Sequence, residues 1–243
     1  MRFDAQRVSL WISATFGGIL VVAFLIFPGF FPPMSPTMGA AEVADFYADN
    51  APLIRASMIT FDLCGVMLLP LFTVIVHQLK RIRTSTDVFA YCYLSAVTSG
   101  AALLALANLF WLIGAFRPER DAHLVQLMND LAWITFTAPV GTMVAQNLCF
   151  ALAVYLDTGT RPVFPRWVGH FNIVTAALIV PAACASIFTS GPLAWDGLIS
   201  YWLRLATLGT YMVVMFVVLR RVVTEELAEE TGRAGGDLAL AVG

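Results

Sequence analysis

The chain has 243 residues, of which 59% are hydrophobic and only 12% are charged. An average soluble domain has about 45–50% apolar and about 25% charged residues, so this composition predicts a protein embedded in lipid. The net charge of −2 gives no support for nucleic-acid binding, because that function needs a basic face.

Six runs of the sequence are candidates for helices that cross a bilayer, since such a helix needs about 20 mostly apolar residues. In chain order the runs are 8–27, 56–79, 88–116, 131–156, 167–189 and 198–219. Arg2 and Arg7 precede the first run, as in a signal peptide, but prolines follow it instead of a small-residue cleavage site. We therefore expect an all-α, polytopic bundle of six transmembrane helices over residues 1–221 and a flexible cytoplasmic tail over residues 222–243.

The distribution of basic residues predicts the orientation of the bundle, because cytoplasmic flanks of membrane helices are rich in Lys and Arg. One set of helix ends carries ten basic residues: Arg2, Arg7, Lys80, Arg81, Arg83, Arg161, Arg166, Arg220, Arg221 and Arg233. The other set carries three: Arg55, Arg117 and Arg120. The count predicts that both termini are cytoplasmic.

Two of the predicted outer connections, residues 39–50 and 119–131, have an amphipathic pattern. Their apolar faces consist of Val43, Phe46 and Tyr47 in the first and of Leu124, Leu127, Met128 and Leu131 in the second. Amphipathic stretches of this kind lie in the membrane interface with the apolar face towards the lipid. We expect two short amphipathic outer helices that form a lid, and the alternative is that they only cover helix ends.

Two ionisable residues, Asp62 and Arg204, lie within predicted membrane helices, where charges are costly and often functional. Each lies six residues from the outer end of its predicted helix, or about 9 Å below the boundary. Opposite charges at equal depth predict an ion pair. The pair has two interpretations, a structural lock between helices or a ligand-facing site.

Further polar and aromatic residues gather at a similar depth in the outer half of the bundle. A polar stripe in the sixth run, which includes Arg204, and a second stripe around Pro139 in the fourth run favour a cavity over a dry core. The candidate ligand-binding residues are Arg204, Asn108, Trp111, Trp133, Thr137, Tyr201 and Trp202.

The sequence has little that predicts a metal or cofactor. The four cysteines lie inside apolar runs without a CxxC pair, which argues against a disulfide framework or a thiolate metal site. His77 and His170 lie near the basic ends of two predicted helices, so a bis-histidine haem is an alternative. We expect no metal and no cofactor, with haem as the less favoured alternative.

Three segments, AAEVADFY at 40–47, LMNDLAW at 127–133 and PVFPRWVGH at 162–170, resemble those of uncharacterised six-helix bacterial membrane proteins. The resemblance covers nearly the whole chain. It implies a six-span topology and a bacterial cytoplasmic membrane. It implies no activity and no residue roles.

Three functions remain open at this point. The leading hypothesis is binding of a small lipophilic molecule in a cavity open to the outer leaflet, in a binding, transport or accessory role. The second is an intramembrane enzyme, isomerase or terpene-cyclase-like, in which Asp62 is the general acid or base. The third is a structural partner subunit or homo-oligomer. The sequence leaves open whether there is catalysis.

Overall fold

The structure is a computed structural model that describes residues 4–84 and 86–242, with side chains described as far as Glu229 and at Thr231. Within these ranges the chain forms helices and no β-strand. The α-helices are α1 Ala5–Ile26, α2 Ala40–Gly65, α3 Leu69–Arg81, α4 Val88–Phe116, α5 Ala122–Thr137, α6 Gly141–Tyr155, α7 Arg166–Ile179 and α8 Arg204–Val242. Of the basic residues counted above, Arg2 and the side chain of Arg233 lie outside the described part.

Within the described residues six helical spans are long and apolar enough to cross a membrane, which confirms the expected all-α, multi-pass architecture. The spans are Ala5–Ile26, Ala40–Arg81, Val88–Phe116, Ala122–Tyr155, Arg166–Ser186 and Leu198–Glu229. Each predicted run overlaps one of them. The last helix, α8, continues as far as Val242, through most of the segment that we expected to be a tail.

The bundle has two ends that differ in composition. We call the end with residues 82–84 and 156–165 the basic end, and the end with residues 27–39, 117–121 and 187–197 the aromatic end. A hydrophobic core around Tyr93 and Phe150 occupies the half towards the basic end. A second core, around Trp111 and Trp133, occupies the other half.

The two amphipathic stretches are helical, but they continue directly into membrane helices and form the first turns of α2 and α5. Pro52 lies inside α2 without ending it, because proline removes a single backbone hydrogen bond and the buried Tyr47 and Ile54 on either side hold both turns in the bundle. In the second stretch Leu124 and Leu127 are about half exposed on the outer surface of the bundle. Whether this face lies against lipid stays a prediction.

The second and the fifth span are each interrupted next to a proline. The span that contains Pro70 has a 3₁₀ turn at Val66–Leu68, where the hydroxyl of Ser13 on α1 replaces the missing helical bond. This hydroxyl donates to the Met67 carbonyl and accepts from the Leu71 N–H, both at 3.0 Å. An inserted side chain of this kind bends a helix while keeping its backbone groups satisfied. Pro181 similarly lies in the 3₁₀ segment Val180–Ser186.

Candidate ligand site at the aromatic end

A cluster of aromatic rings fills the interior of the aromatic end. Its members come from α1, α2, α4, α5, the 27–39 segment that connects α1 to α2, and the residues around the π-helix Leu198–Leu203. They are Phe24, Phe27, Phe30, Phe61, Trp111, Trp133, Phe136, Trp195 and Tyr201. Edge-to-face contacts dominate, as between Trp111 and Trp133 with ring centroids 5.3 Å apart. This geometry is favoured by the quadrupoles of the rings.

Phe30 lies at the centre of this cluster and is fully buried. Six rings surround it, with centroid distances between 4.2 and 5.9 Å: those of Phe24, Phe27, Phe61, Trp111, Trp133 and Phe136. Phe30 belongs to an irregular connection and not to a membrane helix. A connecting segment therefore supplies the central side chain of the core.

Side-chain donors from other elements hold the backbone of the 27–39 segment in place. The Tyr201 hydroxyl donates to the Phe30 carbonyl at 2.7 Å, and the Trp195 indole donates to the Met34 carbonyl at 2.8 Å. Gly29 has φ of 92°, a conformation that favours glycine. A Cβ there would lie 2.8 Å from Met34 Cγ. The segment is thus tightly folded.

Arg204, the first residue of α8, carries a buried positive charge beside the aromatic cluster. The residue is only 8% exposed, and its guanidinium lies 4.7 Å from the Phe136 ring centroid. One Nη2–H donates to the Phe136 carbonyl at 2.6 Å. No carboxylate among the described side chains lies within 4.0 Å of the guanidinium.

The carbonyl that Arg204 binds is free because the helix breaks next to it. The break between α5 and α6 contains Pro139, and the N–H of Val140 turns back to the carbonyl of Ala138. In a continuous helix Val140 would bond to Phe136 instead. The break therefore exposes the Phe136 carbonyl, one residue away from the Thr135 carbonyl that a proline at position 139 deprives of its donor.

Four buried polar atoms near the cluster have no hydrogen-bond partner in the described structure: Asn108 Oδ1, Trp111 Nε1, Trp133 Nε1 and Arg204 Nε. Buried polar groups in proteins are nearly always paired, so each exception needs an explanation. Three of the four atoms are donors. The site therefore has an excess of N–H groups that can receive an acceptor oxygen.

The residues predicted to bind a ligand are found around this cluster. Trp111, Trp133 and Tyr201 are in it, and Trp202 packs against its edge with its ring 5.2 Å from that of Tyr201. Thr137 is buried, but its hydroxyl donates to the Trp133 carbonyl in its own helix. Whether the group binds a ligand stays a prediction.

The expected ion pair between Asp62 and Arg204 is not formed, and we correct that prediction. Asp62 is exposed on α2, on the outward face, while Arg204 is buried. Equal depth does not fix the direction of a side chain around its helix axis. Arg55, which we considered a competitor for Asp62, instead donates to the Ala115 and Phe116 carbonyls at the end of α4.

The basic end contains a second buried charge, Glu226 on α8, which lies in the predicted tail and which the sequence reading missed. Its carboxylate accepts hydrogen bonds from Gln6 at 3.0 Å and Gln78 at 2.7 Å. It also pairs with Arg81 at 3.2 Å and lies 3.7 Å from His77. The network connects α1, α3 and α8.

A cavity of about 390 Å³ opens beside Glu226. Arginines and carboxylates both line this cavity, and they form the ion pairs Arg81–Glu226 and Arg161–Glu229. The Asp157 carboxylate folds the adjoining loop by accepting from the N–H groups of Gly159 and Val163. The lining has three arginines and four carboxylates, and Glu225 pairs with Arg221 outside it, so no excess of one charge remains to select a ligand.

The two histidines of the haem alternative have separate surroundings. His170 has its ring 5.3 Å from that of Tyr155 and Nδ1 2.9 Å from the Arg166 carbonyl oxygen. His77 lies next to Glu226. Among the described residues no group of three His, Cys, Asp or Glu side chains has a metal-binding arrangement.

Sequence reasoning missed Phe30 and Phe136 as site residues. The signal for Phe30 was present in the 27–33 segment, FPGFFPP, since three phenylalanines in a proline-rich connection are unusual for a solvated loop. Phe136 could only be found from its contacts. Comparisons of this chain with family models, curated proteins and solved structures find no match.

Proposed function

We propose that this protein binds a small lipophilic molecule at the aromatic end of its bundle, in a binding, transport or accessory role. The observation that carries the proposal is the buried guanidinium of Arg204, which has no carboxylate partner among the described side chains and packs on an aromatic cluster that contains two unpaired indole donors. Unpaired buried donors cost about 1–3 kcal/mol each. Small-molecule sites are usually lined by apolar and aromatic side chains together with a few polar groups.

We also propose that the basic end faces the cytoplasm of a bacterium and that the ligand arrives from the outer leaflet. The support is the excess of Lys and Arg at the basic end. Impermeant maleimide should label Asp49→Cys but not Thr84→Cys in intact cells, in a background without Cys64, Cys92 and the other two cysteines. The reverse labelling would contradict the orientation, and labelling at both positions would contradict the six-span topology.

The binding itself is tested by gentle purification followed by mass spectrometry of an organic extract. We expect a discrete hydrophobic molecule, enriched over bulk lipid, in the extract of the unmodified protein. Trp133→Leu should lose it, because Trp133 is fully buried in the cluster. Trp11→Leu is the matched control, since Trp11 is 56% exposed on α1 and should retain the molecule. An extract that contains only bulk lipid, or equal retention in both variants, would contradict the proposal.

A second candidate, a partner subunit of a membrane complex, is favoured by the position of Asp62. The other exposed residues between 52 and 67 on this face of α2 are all apolar: Pro52, Leu53, Ala56, Ile59, Leu63, Val66 and Met67. A carboxylate on a lipid-facing surface is costly, and a partner helix with a polar or basic side chain would remove that cost.

The partner-subunit candidate predicts a complex that depends on Asp62. Native mass spectrometry of protein extracted in polymer nanodiscs should show a defined complex that Asp62→Leu dissociates and Asp49→Leu leaves intact. A single chain in all three samples would contradict it. The intramembrane-enzyme hypothesis has lost its proposed charge pair, because Asp62 faces away from Arg204.

A further inference from the structure

Arg204 combines a positive charge with a site that excludes water and offers no anion from the described part of the chain. Buried charges in proteins are normally paired with an opposite charge. Here the guanidinium has one carbonyl and one aromatic face as partners, and its Nε–H is unpaired. One negative charge would therefore neutralise the charge of this site.

The unpaired indole donors lie on rings that contact the ring beside the Arg204 guanidinium. The Phe136 ring centroid lies 5.5 Å from that of Trp111 and 6.2 Å from that of Trp133. The guanidinium of Arg204 lies over the same Phe136 ring. The two indole rings and the Arg204 guanidinium thus all contact the Phe136 ring. Anionic oxygens form shorter and stronger bonds to such donors than neutral acceptors do.

The space for an apolar chain is at present taken by Phe30. Its ring lies 5.9 Å from that of Phe136, so it is separated from Arg204 by one aromatic ring. Phe30 is carried by a connection that forms no regular helix. The side-chain hydrogen bonds that other elements donate to this connection in the described structure are single bonds from Tyr201, Trp195 and Gln126.

We propose that the ligand is an amphiphile with an anionic oxygen headgroup, a carboxylate or a phosphate, which pairs with Arg204 and inserts its chain where Phe30 packs. The 27–39 segment then acts as an intramolecular plug that the chain displaces. This inference rests on the function proposed above. It adds the charge of the ligand and the element that moves.

The headgroup is tested with three photoactivatable probes that share one diazirine-bearing alkyl chain. One probe is the free carboxylic acid, one is the alkyl phosphate and one is the methyl ester. Protein in nanodiscs of neutral phosphatidylcholine is irradiated with each, and labelled peptides are mapped by mass spectrometry. We expect the acid or the phosphate to label peptides of the aromatic end about tenfold more than the ester, the ratio that corresponds to a charge-assisted bond.

The outcomes separate the two proposals. Equal labelling by all three probes at the aromatic end would overturn the anionic headgroup while leaving lipophilic binding intact. No labelling there by any probe would overturn the proposed function itself. A preference between the acid and the phosphate identifies which source supplies the anion.

The plug is tested with Phe30→Ala and with Phe31→Ala as the matched control, because Phe31 is its neighbour in the chain but is 43% exposed. Labelling by the preferred anionic probe, normalised to monodisperse protein, should rise severalfold in Phe30→Ala and stay unchanged in Phe31→Ala. Unchanged or reduced labelling in Phe30→Ala, at unchanged labelling of the control, would overturn the plug.

Discussion

The two ends of the bundle each bury one charge, and they treat it in opposite ways. At the basic end, Glu226 accepts bonds from Gln6 and Gln78 and pairs with Arg81. At the aromatic end, Arg204 has one carbonyl partner and an unpaired Nε among the residues that the structure describes. Both residues are 8% exposed, so burial alone does not distinguish them.

The difference indicates which of the two charges is structural. A buried charge with several internal partners locks elements together, because removing it leaves those partners unsatisfied. A buried charge without a counter-ion contributes little to the fold and is available to a ligand. Stability and ligand retention should therefore respond oppositely to substitutions at Glu226 and Arg204.

The largest effect on stability is expected at Glu226. Glu226→Ala removes the counter-charge of Arg81 and an acceptor of the Gln6 and Gln78 amides, which should lower the free energy of unfolding by about 3 kcal/mol. The measurement is denaturant unfolding in detergent. Glu225→Ala, which removes an exposed pair with Arg221 on the same helix, should have no measurable effect. Equal losses in both variants would contradict the structural role.

The packing of the aromatic end is tested at Gly114 on α4. A Cβ there would lie 2.8 Å from Cε1 of Tyr47, whose hydroxyl is fixed by a bond to Asn129. Gly114→Ala should therefore lower the free energy of unfolding by about 1–3 kcal/mol. Gly209→Ala meets no atom within 4 Å and should be neutral or stabilising by about 0.5–1 kcal/mol. A stabilised Gly114→Ala would refute the close approach of α2 and α4.

A smaller effect on stability is expected at a hydrogen bond between two neutral side chains in the half of the bundle towards the basic end. The hydroxyls of Tyr93 and Tyr211 lie 2.9 Å apart in the core. Tyr93→Phe should lower the free energy of unfolding by about 1 kcal/mol, because the Tyr211 hydroxyl then loses its partner. The double variant with Tyr211→Phe should lose less than the two single changes together. Additive losses in the cycle would show that the hydroxyls are not coupled.

The smallest effect on stability, with the largest effect on ligand retention, is expected at Arg204. Arg204→Met loses one hydrogen bond and a ring contact but removes an uncompensated charge, so the free energy of unfolding should change by less than about 1 kcal/mol. The same variant should lose the co-purified molecule. Arg220→Met is the control on the same helix, since Arg220 lies over the exposed Trp11 ring. If Arg204→Met lowered the free energy of unfolding as much as Glu226→Ala, the distinction between the two ends would be wrong.

The position of the six spans could be predicted from the sequence because a bilayer imposes length and apolarity on each of them separately. The run at 88–116 matches α4 at both ends. Depth along a helix could be read in the same way, and it placed Arg204, Trp111 and Trp133 in one half of the bundle.

Direction around the helix axis could not be predicted for Asp62. In a soluble protein the polar face is the exposed face, but a membrane helix has apolar surroundings on every side. The hydrophobic pattern therefore does not distinguish the lipid from the protein interior. Asp62 was assigned to the interior for this reason, and it lies outside.

The sequence by itself determined that the chain is a six-span helical membrane protein with its basic residues concentrated at one end, since composition and charge act through the surrounding solvent. Only the tertiary structure decided which charges are compensated. Two partners of Glu226, Gln78 and Gln6, lie 148 and 220 residues from it in the chain, and Phe30 reaches the core from a connection without helical periodicity. Contacts of this kind depend on how the helices pack against one another.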